Sequence, residues 1–144
     1  SRDALLVEAL AHAGQQSAQR LDKSEAHRQA RGATPLQALV EGYLSDRHLS
    51  GVEEGCAVAA LASEMPRQAP EVREAAAQRV RALVRRVTHA LPADAPPQEA
   101  TAVACQLVGA LQMARALGDN AEGRALLAQN RQALLARHGD TTAG

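Results

Sequence analysis

The chain has 144 residues, and its 16 basic side chains balance 16 acidic ones, so no global field draws it to nucleic acid or to an anionic membrane. Its length suits one domain with a real core and is short for two. Of its residues 46% are apolar, yet Phe and Trp are absent and Tyr43 is the single aromatic, which disfavours a sheet core and favours close-packed helices of Ala, Leu and Val.

Six helices are expected, with loops set by Gly and Pro. Ser1 rather than Met opens the sequence and reads as a cap already in place, with Asp3 in the first turn, so a fragment of something longer is expected. The first helix runs from Arg2 into the twenties on Leu5, Ala9, Leu10, Ala13 and Leu21, and its distal part, "QQSAQRLDKSEAHRQARG", is polar. The second has Thr34 as N-cap and Pro35 at its first position, where the missing N–H has no intrahelical partner. Leu36, Leu39, Val40, Tyr43 and Leu44 give it the cleanest amphipathic stripe in the chain. The third spans Cys56 to Met65 and stops at Pro66. The fourth, from Pro70 to Leu91, buries Val72, Ala76, Val80, Leu83, Val84, Val87 and Leu91, with Arg73, Arg79, Arg81, Arg85 and Arg86 on the wet side. The fifth runs from Pro97 to Gly118 and the sixth from Asn120 to Gly139. One domain over residues 1–139 is expected, with 140–144 a disordered tail. The class is all-α.

The apolar runs are too short and interrupted for a membrane span, and no signal-peptide pattern opens the chain. Two cysteines make no disulfide framework, and a cytoplasmic setting with reduced thiols is expected. The histidines at 12, 27, 48, 89 and 138 are scattered without metal spacing, and each is expected at the surface. There is no phosphate loop and no nucleophile elbow, so neither an enzyme nor a cofactor is expected. Cys56 begins a helix, where a thiol's pKa can fall, but Glu53 and Glu54 oppose a nearby anion. Simple burial of Cys56 is favoured over redox sensing.

Two helices are apolar almost all round, so each needs neighbours on most sides. The third is short and is expected to plug the middle of the domain. On the fifth, Val103, Leu107, Ala110, Ala114 and Leu117 make one face, widened by Val108 and Leu111. Ala102, Cys105, Gly109 and Ala116 make a second face of small residues. Gly109 costs a helix interior about 1 kcal/mol relative to Ala, and close approach of another helix is the usual compensation. A two-fold contact between copies is favoured over central burial in a monomer. The expected dimer face comprises Ala102, Cys105, Gly109, Met113 and Ala116, with Leu127 and Leu134 of the sixth helix.

The stretch "GYLSDRHLSGVEEGCAVAALASEMPRQAPEVREAA" resembles the regulatory domain of TetR-family (TetR/AcrR) transcriptional regulators. Those proteins carry a helix ending in YLS, a polar loop, a Gly-Cys-led apolar helix with ALASE, and a Val-Arg helix start. "LVGALQMARALGDNAEGRALLAQNRQALL" is similar to their two final helices, and "SRDALLVEAL" to the helix that leaves their DNA-binding domain. Ala57 departs from the pattern, where related sequences often have Pro. The resemblance implies a homodimer whose last two helices build a four-helix bundle, with DNA bound only through an N-terminal helix-turn-helix domain absent from this sequence. It also implies that a small effector switches DNA affinity through the first helix. The expected pocket is central, lined by Tyr43, Leu61, Met65, Val84, Leu107 and Leu111, with Cys56 a further candidate. With one aromatic residue, an apolar or modestly polar effector is expected. The alternative is a constitutive helical dimerisation module with no ligand.

Overall fold

The computed structural model describes residues 1–51 and 67–138, and all regular structure among them is helical. The helices are α1 (Arg2–Ala30), α2 (Pro35–Tyr43), α3 (Asp46–Ser50), α4 (Pro70–Ala90), α5 (Pro97–Leu117) and α6 (Ala121–Arg137). The all-α class and the expected first, second, fourth, fifth and sixth helices are therefore present, the first reaching further than expected. The expected third helix, with Cys56, Leu61 and Met65, lies outside the described residues, as does the tail. Helix α3 has only five residues, too few for any periodicity.

Local chemistry explains the boundaries. Ser1 Oγ accepts from Ala4 N at 3.2 Å and opens α1. At α2, Thr34 Oγ1 accepts from Gln37 N at 3.1 Å while Gln37 Oε1 accepts from Thr34 N at 2.9 Å, a reciprocal cap with Pro35 just inside it. Asn120 Oδ1 accepts from Gly123 N at 2.9 Å to open α6. Gly118 ends α5 at φ 112°, a left-handed value that favours glycine, and a methyl group at Gly123 would collide with the Gly118 carbonyl. Two glycines thus allow α6 to fold back tightly on α5.

The core joins α2, α4, α5 and α6 around Leu39, Val40, Tyr43, Leu44, Val87, Val103, Leu107, Leu111, Leu127 and Leu134, each 0% exposed. Every such large aliphatic side chain contributes about 1.5–3 kcal/mol by leaving water, which compensates for the scarcity of aromatics. Leu127 and Leu134 correct the expected dimer face: their side chains are spent inside the protomer and leave no surface for a partner. Helix α1 lies across α2 and α4 at the edge of this core.

Two arginines expected on the wet side of α4 instead meet α1. Arg86 Nη1 donates to Asp22 Oδ1 at 2.8 Å and Glu25 Oε2 at 2.6 Å. Arg79 lies against Gly14, where a methyl group would strike its guanidinium. Both corrections have one cause: the middle of α1 has polar faces, so its neighbour meets it with charge.

Helix α5 is long and apolar enough to pass for a membrane span by length and composition alone, with a mean hydropathy of 1.2 over its most apolar window, 39% of it buried, a test that the core helix of a helical domain also passes. Its inner face is committed to the core through Val103, Leu107 and Leu111, so the apolar remainder faces outward.

Candidate functional site

The corner between α2 and α3 is built by backbone groups that find side-chain partners. Ser45 caps α3, its Oγ accepting from His48 N at 3.1 Å. This turns the His48 ring back under α2, where Nδ1 donates to the Tyr43 carbonyl at 2.6 Å. A carbonyl only accepts, so the proton sits on Nδ1 and the tautomer is fixed. The His48 and Tyr43 rings meet edge to face, 4.8 Å apart at 83°. Burial lowers the His48 pKa to about 4, the Tyr43 carbonyl opposes that shift, and the charges of Arg115 and Arg20 lower it further. Arg115 Nη2 donates to the His48 carbonyl at 2.8 Å, and Arg131 donates to the Leu44 carbonyl. The corner is thereby tied to both α5 and α6. His48 is not the surface residue the sequence suggests, and neither is His138, whose side chain is 8% exposed and 3.5 Å from Glu99 Oε2.

A cleft of about 510 Å³ opens between this corner and the distal half of α1. From α1 come Ser17, Arg20, Leu21, Lys23, Ser24, His27 and Arg28, and from the corner Gly42, Ser45, Arg47, His48 and Gly51. On α1 the spacing at 17, 20, 21, 24, 27 and 28 is one helical face, polar at every position but Leu21. Gly42 sets the approach of the two helices, since a Cβ there would sit 2.7 Å from Ser24 Oγ. Arg28 Nε donates to Ser24 Oγ at 3.4 Å, and Arg28 Nη1 lies 3.4 Å from Glu41 Oε2. The acids Asp22 and Glu25 lie on another face of α1 and engage Arg86. Burial pushes the Glu25 carboxyl up despite Arg86 and against the small help of its pairing, with Asp22 adding repulsion. For Arg86, burial opposes the charge, but the two carboxylates outweigh it and raise its pKa. The pair therefore suits the arginine better than the more deeply buried Glu25, whose desolvation is the larger effect.

Of the residues expected to line a central pocket, Tyr43, Leu107 and Leu111 are packed core with Val84 against them, and none is among the described lining of the cleft. Cys56, Leu61 and Met65 lie outside the described residues. The cleft was missed because its signal is a polar helical face, which reads as a solvated one. On α5, Ala102, Cys105, Met113 and Ala116 are exposed on one side, Met113 at 61%, and Gly109 is half-buried. A Cβ at Gly109 would meet nothing within 4 Å, so no helix of its own protomer requires that glycine.

The family model for the C-terminal domain of LmrA/YxaF-like transcriptional regulators matches residues 32–129, most of the chain. No curated protein and no solved structure matches. The matched span includes α2 and its N-cap, the α2–α3 corner, α4, α5 and most of α6. The chain belongs to the family of LmrA/YxaF-like C-terminal domains of TetR-type transcriptional regulators.

Proposed function

We propose that this chain is the effector-binding and dimerisation part of a TetR-type regulator, with no catalytic role, and that a small molecule in the cleft beside α1 changes DNA affinity. The observation that carries the reading is the position of that cleft: its lining comes from α1 on one side and from the α2–α3 corner on the other. A ligand there favours whichever spacing of α1 and the corner it fits, and it shifts the domain by that preference and no more. Helix α1 is the element through which the bias passes to DNA-binding heads. The outward face of α5, with Ala102, Cys105, Gly109, Met113 and Ala116, is the proposed contact between two copies, in a cytoplasmic homodimer.

A ligand at about a hundred times its dissociation constant should stabilise the domain by roughly 2.7 kcal/mol, a melting shift on the order of 5–10 °C. Ser24→Phe, which fills the cleft, should abolish the shift; because Ser24 packs against Gly42, its unliganded melting point should fall as well, and the ligand shift is read from that lower value. In the full-length regulator the same ligand should change operator affinity, and Ser24→Phe should cancel that change. The constitutive dimerisation module remains the second reading, favoured by the solid packing of Tyr43, Leu107 and Leu111. A broad thermal screen without a hit, with a stable dimer, would establish it instead.

A further inference from the structure

The chain as a whole is electrically balanced, but the described lining of the cleft is not. Four of its lining side chains are cationic (Arg20, Lys23, Arg28 and Arg47), and no acidic side chain is among the described lining. Glu41, at the edge, engages Arg28 alone. Asp22 and Glu25 are held by Arg86, 2.8 and 2.6 Å away. Among the described lining the only aliphatic side chain is Leu21, whereas Ser17, Ser24 and Ser45 bring hydroxyls. Ser24 and Ser45 each accept an N–H from the protein, which leaves their own O–H groups to donate. Lowered His48 basicity, after its burial, owes part to Arg20, in keeping with a positive local potential.

We propose that the cleft takes a small multivalent organic anion, bearing carboxylate or phosphate groups, held between Lys23 and Arg28 of α1 and Arg47 of α3. The proposal deepens the effector reading and rests on it. A cleft of about 510 Å³ is the size of an ordinary metabolite site. Two charges on the ligand are called for because the cations stand on both walls, and a single charge would satisfy one wall and leave the other repelled. An anion spanning them draws α1 toward the corner. Arg28, planar and already oriented by Ser24, suits a bidentate oxyanion, while Lys23 and Arg47 are exposed and adapt to its length. This replaces the apolar or modestly polar effector that the sequence suggests.

The test is calorimetric titration of the chain with inorganic pyrophosphate and with citrate, at constant ionic strength against a chloride reference. Saturable binding at one site per chain is expected, and the preferred probe separates phosphate from carboxylate chemistry. Lys23→Gln and Arg47→Gln should each weaken it about tenfold, the loss of one charge-assisted hydrogen bond. Arg81→Gln, on the exposed side of α4, should leave it unchanged. Both cleft positions are exposed, so the unliganded melting points of these variants should equal the parent's and exclude unfolding as the cause. No binding beyond chloride overturns the proposal. Binding that ignores Lys23→Gln and Arg47→Gln also overturns it, as an adventitious ion only. Tighter binding of duplex DNA than of either probe, through the same residues, overturns it in favour of a nucleic-acid surface. Uncharged compounds whose stabilisation is lost in Ser24→Phe would sink the anion and keep the effector reading. Anion binding that leaves the operator affinity of the full-length regulator unchanged would keep the site and sink the effector reading.

Discussion

His48 carries the sharpest consequence at the scale of one residue. Burial holds its ring in the neutral form, against the pull of the Tyr43 carbonyl that fixes its tautomer, with a pKa of about 4 in the fold against 6.5 for a free side chain. Between those values the unfolded chain binds more protons than the folded one, so stability rises with pH across that window. The contribution is fully present above pH 6.5 and is lost as the pH falls toward 4. Its size is about 3 kcal/mol, from the width of the window at about 1.4 kcal/mol per pH unit. His48→Asn can keep an N–H donor near the Nδ1 position and cannot titrate. Urea unfolding at pH 7.5 and pH 5 should show the parent losing more stability than His48→Asn, and equal losses would reject the assignment.

At the scale of elements, the contact of α1 with α4 turns on Arg86, which serves Asp22, Glu25 and, at 3.4 Å, the Ala18 carbonyl. Arg86→Gln should cost about 2 kcal/mol, less than a fully buried pair, because it leaves Glu25 as an ill-compensated charge. Glu25→Gln alone should change stability by under about 1 kcal/mol, since burial already disfavours that carboxylate. In the double variant most of the Arg86→Gln loss should return, a coupling measurable by denaturant titration. Most helices here were legible in the sequence because their ends are written in caps: Thr34–Pro35, Pro70, Pro97, Gly118 and Asn120. Helix α3 was not, since five residues carry no period and only Ser45 announces it. The cleft was illegible for a different reason. Periodicity detects apolar faces, and residues 17, 20, 24, 27 and 28 form a polar face turned inward, as Arg79 and Arg86 are on α4.

At the scale of the molecule, α5 has one face in the core and another, of small and apolar residues, open to the outside. Gly109 distinguishes the two states of assembly. In a lone protomer, Gly109→Ala relieves an interior helix glycine with open space around it and should stabilise by up to about 1 kcal/mol. In the proposed dimer, Gly109→Leu should raise the dissociation constant at least tenfold by holding the facing helices apart. Sedimentation at micromolar concentration reads this directly, and a parent chain that is monomeric there would remove the α5 contact. The carbonyls of Leu44 and His48 are anchored by Arg131 of α6 and Arg115 of α5. The wall of the cleft thus hangs in part from α5, the helix that would carry the partner. If ligand occupancy shifts that shared support, assembly and occupancy bias each other by the same factor. A scarce regulator and an abundant one would then answer the same amount of ligand differently, so the cell's own copy number becomes part of the signal it reads.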